Sequence, residues 1–303
     1  MRVLVTGATG LIGTEVIRQL KARGDEVVTM VRRTPENDSQ REWQPDRGYL
    51  QPGTLDGIDA VVNLAGATTG KLPWTKKYKD ELIWSRVRAT ELLVSAMAES
   101  KKPPKVFVSG SASGIYGDSG DATLTEAAPK GTGFLSDLAF AWEQAALKAP
   151  KKVRVVLART TLVMSREKGA LGRLMPLLKA GVAGPLGSGK QWWAWISLQD
   201  QAAAIIHLID SPKAEGAFNI TAPEPATCAQ LIASLGKALG RPTVIPVPAF
   251  ALRLAFGEGA DELLLCSQKM SAQKLLDSGF KFKHPKLADA ANWVVGKIGR
   301  AHV

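Results

Sequence analysis

Three glycines near the amino terminus carry the strongest chemical signal in the sequence. Gly7-Ala-Thr9-Gly10-Leu11-Ile12-Gly13 follows directly on the apolar run Arg2-Val-Leu-Val-Thr6. Gly7 permits a tight turn out of a strand. Gly10 lets backbone approach a pyrophosphate with no Cβ in the way, and Gly13 lets the following helix pack closely on a sheet. Backbone amides of the turn and helix start, Thr9 to Ile12, then meet a phosphate with the helix dipole behind them. A simple tight turn can also hold three glycines. Here a strand precedes them, and a helix and second strand follow, as dinucleotide binding requires. That second strand, Glu26-Val-Val-Thr-Met-Val31, ends in Arg32-Arg33. An acidic residue there would hold the ribose hydroxyls of NAD. A guanidinium can instead hold a 2′-phosphate through paired, charge-assisted hydrogen bonds. The plain alternative is two solvated loop arginines; their placement favours NADP(H) over NAD(H).

The elements that must position these residues alternate along the chain. Thr14 to Ala22 has helical periodicity, with Val16, Ile17 and Leu20 on one face. Ile58-Asp-Ala-Val-Val-Asn63 reads as a buried strand and Trp74 to Glu99 as a long helix. Lys105-Val-Phe-Val-Ser109 is a strand, Phe134 to Lys148 a helix, and Val153 to Arg159 another strand. Such alternation predicts an α/β fold with a Rossmann-type, doubly wound parallel sheet, any ligand lying along the strand carboxyl ends. After Thr161 the texture changes. Gly181 to Gly189 is loop-like, Ala217-Phe-Asn-Ile220 is strand-like, Thr227 and Gln230 open a helix as a capping box, and prolines punctuate a short strand around Val244-Ile245. We expect a nucleotide-binding domain over 1–160, with parts of 190–225, and a small mixed α/β substrate-side portion over 161–303. That portion would include a helical domain at about 245–300.

The 303 residues, 45% hydrophobic and 22% charged, exclude disorder and repeats and need no disulfide or metal staple. The formal charge of +11 invites a nucleic-acid reading. Its lysines, however, stand in short groups without interleaved aromatic residues, so solvated surface is expected and nucleic acid is not. Cys228, Cys266, His207, His284 and His302 show no metal-ligand spacing. Met1 leads straight into a strand and no apolar window is long enough to span a membrane; a cytoplasmic protein is the expectation. Oligomeric state is not legible.

The spacing Gly-x-x-Gly-x-x-Gly resembles the short-chain dehydrogenase/reductase superfamily. Asp59-Ala-Val-Val-Asn-Leu64-Ala65-Gly66 is similar to its adenosine-lining segment, and Ser109-Gly-Ser111-Ala-Ser-Gly-Ile-Tyr-Gly117 to its catalytic-serine strand. The spacing of these blocks fits the extended, epimerase/dehydratase-like branch. The resemblance makes Ser111 the candidate catalytic serine, which would polarise a substrate carbonyl, with Ser109 beside the cofactor. Arg86 stands where relatives carry asparagine, for a phosphate contact or a surface salt bridge, and Glu81 lies near the same edge. Arg159, at a strand's carboxyl end, is a candidate ligand contact. Such reductases place a tyrosine four residues before a lysine. Here Tyr49, Tyr78 and Tyr116 are followed at that distance by Gly53, Leu82 and Gly120, and alignment through Trp142-Glu143 puts Leu135 and Ala139 where the pair should stand. Asp137 and Glu143 on this helix read as solvated carboxylates.

The tail narrows the resemblance. Phe134-Leu-Ser-Asp137, Trp142-Glu143, Gly187-Ser-Gly-Lys-Gln-Trp192, Phe218-Asn-Ile-Thr-Ala-Pro223, Leu239-Gly-Arg-Pro242 and Leu275-Leu-Asp-Ser-Gly-Phe-Lys-Phe282 occur in order. Together they resemble an atypical extended group, described as nucleoside-diphosphate-sugar epimerase-like or cell-division-inhibitor homologues, with its own C-terminal domain. That implies NADP(H) binding without the usual Tyr/Lys pair, and no defined substrate. One departure is Trp195-Ile-Ser197-Leu-Gln199-Asp200, where relatives usually carry His and a first Asp. Trp192, Trp193 and Trp195 either wall a pocket or pin the second portion to the sheet; pinning is the preferred reading. Two function classes remain: an atypical NADP(H)-dependent oxidoreductase or epimerase-like enzyme, and a non-catalytic NADP(H) sensor or partner-binding protein.

Overall fold

The structure, a computed structural model, describes residues 1–166 and 169–296. Its strands are β1 (Arg2–Thr6), β2 (Glu26–Val31), β3 (Gln40–Gln44), β4 (Tyr49–Leu50), β5 (Ala60–Asn63) and β6 (Val106–Ala112). They continue as β7 (Thr123–Leu124), β8 (Arg154–Thr160), β9 (Leu162–Met164), β10 (Trp195–Ser197), β11 (Gly216–Ile220) and β12 (Lys269–Met270). The helices are α1 (Leu11–Ala22), α2 (Lys76–Glu99), α3 (Phe134–Leu147), α4 (Gly169–Ala180) and α5 (Leu198–Asp210). Then come α6 (Cys228–Leu239), α7 (Ala249–Phe256), α8 (Glu258–Ala260), α9 (Gln273–Asp277) and α10 (Leu287–Val295).

One sheet of eight strands runs in the order β11-β8-β6-β5-β1-β2-β3-β4, parallel except for the β3–β4 edge pair. Its central strands are buried on both faces. Val3 and Val5 of β1 join Val62, Val108 and Val156 under α1 and α5, whereas Leu4 joins Val61, Phe107 and Leu157 under α2 and α3. This period of two sends alternate side chains into two helical layers, so a doubly wound strand reads as a continuous apolar run. Because α1 and α2 flank opposite faces, the strand order reverses around β1 and β5 and opens a crevice at their carboxyl ends.

A second apolar core joins α4, α6 and α10 through Met175, Leu178, Leu231, Leu235, Ala290 and Val294. The capping box of Thr227 and Gln230 opens α6, and Gly240, at φ 69°, closes it. The segment after α7 returns to the sheet domain. There the Glu262 carboxylate accepts the Phe134 and Leu135 amides at 2.8 and 2.9 Å and so caps α3 from outside its own helix.

Two local features depart from the sequence reading. The proline-punctuated stretch around Val244 forms no strand, only an isolated bridge between Leu186 and Val247, because Pro246 and Pro248 have no amide to donate. The edge strands β3 and β4 escape sequence reading because Gln40-Arg-Glu-Trp-Gln44 buries only Trp43. Helix α5 packs against α1 in the helical layer on one face of the sheet. Among the described residues no helix is long and apolar enough to cross a membrane, and no cluster of metal-binding side chains occurs.

Candidate functional site

The glycine turn has the geometry that its spacing predicts. Gly7 has φ +65°, and a Cβ there would lie 2.5 Å from the Leu64 carbonyl oxygen. A Cβ on Gly13 would lie 2.2 Å from the Gly7 carbonyl oxygen, so the helix approaches its own turn at backbone distance. Gly10 differs. Its φ is −74° and a Cβ would meet only the Gly7 carbonyl oxygen, at 3.1 Å. The fold therefore demands glycine at 7 and 13, whereas at 10 it leaves open space above the backbone. No side chain caps α1, so its first amides, at Leu11 and Ile12, lack intrahelical partners and can receive an anion. Thr9 lies exposed on the same turn.

At the end of β2 the two arginines separate. Arg33 pairs with Glu36 at 2.8 Å and reaches the Thr34 carbonyl and Gln40. Arg32 is exposed and makes no hydrogen bond or ion pair among the described residues.

A buried network that the sequence did not announce braces the ends of β1 and β5. The Thr6 hydroxyl donates to Asn63 Oδ1 at 2.7 Å and accepts the Leu64 and Ala65 amides. Asn63 Nδ2 and Trp142 Nε1 both donate to Thr90 Oγ1, at 2.9 and 3.0 Å. Leu64, Ala65 and Gly66 are thus fixed beside the glycine turn. Arg86 lies against Gly66, whose Cβ would sit 2.9 Å from the guanidinium carbon, and over the Trp142 ring at 5.3 Å. It forms neither a surface salt bridge nor any other ion pair among the described residues. Its nitrogens donate to the Leu82 and Ala67 carbonyls, at 3.0 and 2.9 Å. Glu81 is exposed one turn away.

The serine strand corrects three expectations. The Ser111 hydroxyl is buried and donates its one proton to Glu143 Oε1 at 2.6 Å, so it is not available to a substrate carbonyl. Glu143 is not a solvated helix carboxylate: it is 4% exposed and holds Arg159 with both oxygens, at 2.8 and 3.0 Å. Arg159 in turn donates to the Tyr116 hydroxyl and the Glu126 carbonyl, which engages it as a buried structural cation rather than a ligand contact. Burial alone would lower its pKa, but the Glu143 carboxylate raises it above the ordinary value. Tyr116 donates to Asn219 Oδ1 at 2.6 Å, and burial pushes its phenol up. Ser109 is buried too, with its hydroxyl on the Gly110 carbonyl. Asp137 is exposed and pairs with Lys130. Leu135 and Ala139 are buried in apolar surroundings.

Where relatives carry histidine, Ser197 caps α5, and a histidine arrives from elsewhere. His284 Nδ1 lies 3.0 Å from Ser197 Oγ and 3.6 Å from Asp200, whose carboxylate accepts the Lys283 and His284 amides. Burial lowers the His284 pKa from 6.5 although Asp200 opposes it. The neutral imidazole therefore contributes stability that is complete above the unfolded value and is lost as pH falls toward the lower folded value. We expect the melting temperature to drop between pH ~7 and ~5, and the drop to shrink in His284→Gln. An unchanged pH profile in that variant would remove His284 from the account. Of the three tryptophans only Trp192 bonds to the first portion, its indole donating to Asp121; the Trp193 and Trp195 indoles donate to the Leu264 and Glu224 carbonyls of the second portion.

The parallel sheet, the glycine turn out of β1 and the uncapped start of α1 define a Rossmann-type α/β protein. The chain belongs to the NAD dependent epimerase/dehydratase family, whose profile matches residues 3–221, and a domain of unknown function, DUF1731, matches residues 247–294. It is 38% identical over 292 residues to epimerase family protein ML0860 of Mycobacterium leprae, covering 96% of this chain and 94% of that one. It is 36% identical to human epimerase family protein SDR39U1, covering 97% of this chain and all of that one. The crystal structure of human SDR39U1 with NADPH superposes at TM-score 0.92 and 32% identity, over 98% of this chain and 100% of that chain. A nucleoside-diphosphate sugar epimerase from Corynebacterium glutamicum superposes at 0.77 and 28% identity, over 98% of this chain and 58% of that chain.

Proposed function

We propose that the protein binds NADP(H) across the carboxyl ends of β2, β1, β5 and β6 and acts as an atypical oxidoreductase on a carbonyl compound. One observation carries the reading: an uncapped helix start behind open space at Gly10 follows β1, and the neighbouring strand β2 ends in Arg32, a guanidinium with no partner among the described residues. Gly7, Thr9, Gly10, Leu11, Ile12 and Gly13 would hold the pyrophosphate. Arg32, with Arg33 beside it, would take the 2′-phosphate, and Leu64, Ala65 and Gly66 would line the cofactor. The NADPH in the human relative's structure supports the choice of cofactor. Bound there, the cofactor supplies hydride chemistry. The chain's part is to orient it, exclude water and hold charge, because Leu135, Ala139 and the engaged Ser111 offer no acid at a reacting oxygen. General acid–base assistance of roughly 10²–10⁴-fold is then missing and turnover is slow. The same observation favours a second reading, a non-catalytic NADP(H) sensor.

Arg32→Ala tests the assignment. Losing a charge-assisted phosphate contact, worth about 1.5–3 kcal/mol, weakens NADPH roughly 10–100-fold in a fluorescence titration and leaves NADH unchanged. Arg33→Ala, whose guanidinium already pairs with Glu36, has the smaller effect. Equal losses for both cofactors in Arg32→Ala, or none, would overturn the phosphate assignment. An absorbance screen of the NADPH-saturated protein against carbonyl compounds separates enzyme from sensor, since only the enzyme oxidises the cofactor.

A further inference from the structure

The loop that leaves β5 is pinned at three successive carbonyls by three side chains. Arg86 donates to the Ala67 carbonyl at 2.9 Å, Tyr78 to the Thr68 carbonyl at 2.6 Å and Trp74 Nε1 to the Thr69 carbonyl at 2.9 Å. The Ala67 amide is held as well, by Ser85 Oγ. A surface connection of this kind usually wanders; this one is fixed in advance, as a binding loop is.

Positive charge gathers on it. Arg86, half-buried between Gly66 and Trp142, uses two of its five N–H donors, both on backbone carbonyls. Burial pushes its pKa down to about 10, the mark of a cation drawn out of water without a carboxylate to compensate. Of the nearest carboxylates on its own helix, Asp80 and Glu81 are exposed and Glu91 pairs with Lys148; none forms an ion pair with it. Lys71 stands 4.8 Å over the Tyr78 ring. Arg173 reaches across from α4, its terminal nitrogen 3.8 Å from where a Gly70 Cβ would lie. Neither has a carboxylate partner among the described residues. Neighbouring cations do: Lys79 pairs with Glu258 and Lys130 with Asp137. Arg86, Lys71 and Arg173 thus bring to this loop charge that no carboxylate among the described residues neutralises.

The sheet order says which molecule it serves. Arg32 follows β2 on one side of the glycine turn, whereas Arg86 lies over Gly66, after β5, and against Trp142, which packs on Gly110 of β6. The helix start and Arg32 already receive the three phosphates of the proposed cofactor. We propose that Arg86, Lys71 and Arg173 form an oxyanion subsite for the protein's second ligand, a molecule carrying a carboxylate or a phosphate group. This rests on the NADP(H) reading. The planar guanidinium offers the fork that either group accepts, and the two outer cations draw it in.

The test is calorimetric titration of the NADPH-saturated protein with inorganic phosphate and, separately, oxalate, so that the cofactor's own phosphate sites are filled. At least one is expected to bind saturably at one site; tighter phosphate identifies a phosphorylated ligand and tighter oxalate a carboxylate. Arg86→Met weakens that binding at least ~10-fold, and Lys71→Met and Arg173→Met by a few-fold each, with NADPH affinity changed less than about twofold. Three results overturn the subsite: no oxyanion binding to a protein that does bind NADPH, binding that survives Arg86→Met, or an Arg86→Met loss as large for NADPH as for the oxyanion. If the wild type binds no NADPH, the cofactor reading fails by itself. Phosphate titration of the apo protein then decides the subsite, which stands only if Arg86→Met abolishes saturable binding. Should Arg86→Met not fold, Arg86→Lys keeps the charge without the fork and is expected to weaken the oxyanion a few-fold; unchanged affinity would again overturn the subsite.

Discussion

Replacing Glu143 by alanine is expected to lower the unfolding free energy by about 3–5 kcal/mol. Glu143 and Arg159 are 4% and 8% exposed, and the carboxylate meets the guanidinium with both oxygens while accepting the Ser111 proton. Removing the carboxylate leaves Arg159 buried with only the Tyr116 hydroxyl and the Glu126 carbonyl, neither of which carries a compensating charge. Ser111 loses its acceptor at the same time. Replacing both charges, as in Glu143→Met with Arg159→Met, is expected to cost far less than the two single changes added together, because no charge is then stranded. Urea denaturation of the wild type, Glu143→Ala, the two methionine single variants and the double variant checks this. A loss below about 1 kcal/mol in Glu143→Ala would show that water or another group reaches Arg159, and the buried network would have to be redrawn.

Gly10→Val should separate binding from folding more sharply than any other change in the turn. The backbone at position 10 is extended, and a Cβ meets only the Gly7 carbonyl oxygen at 3.1 Å, a contact that a shift of a few tenths of an ångström relieves. Stability should therefore change by less than about 1 kcal/mol. The added methyls fill the space a pyrophosphate needs above the helix start, so NADPH affinity is expected to fall at least ~100-fold. Gly7→Val and Gly13→Val give the contrast. Their Cβ atoms would collide with backbone at 2.5 and 2.2 Å, so those variants should lose the fold along with the ligand. Retained NADPH binding by Gly10→Val would place the cofactor elsewhere.

What the sequence disclosed follows from how local each requirement is. The turn at Gly7 to Gly13 is a backbone demand of one short segment, and its residues announce it. The apolar runs of β1, β2, β5 and β6 are legible because strands buried on both faces have no polar alternation to confuse the reading. The absence of a Tyr-x-x-x-Lys pair needs only counting. The role of Glu143 is not legible in the sequence because burial is a tertiary property. On a helix surface it looks like any solvated carboxylate, and only the folded sheet brings Arg159 and Ser111 to it. His284 and Ser197 lie 87 residues apart, so no spacing could foretell their meeting or the helix start they share with Asp200. The pinning of the loop after β5 was hidden for the same reason. Trp74, Tyr78 and Arg86 stand at four- and eight-residue intervals that read as an ordinary helix entry, and only the returning chain gives their donors three consecutive carbonyls. Arg32 was visible as a charge, yet its difference from Arg33 appears only once Glu36 and Gln40 fold back.

Binding of a dinucleotide that carries a 2′-phosphate is read most plainly by titrating the unmodified protein with NADPH and NADH side by side at one moderate salt concentration. One saturable site is expected, at which NADPH binds about 10–100-fold more tightly than NADH, the span of a single charge-assisted phosphate contact. Equal affinities, or tighter NADH, would contradict this expectation.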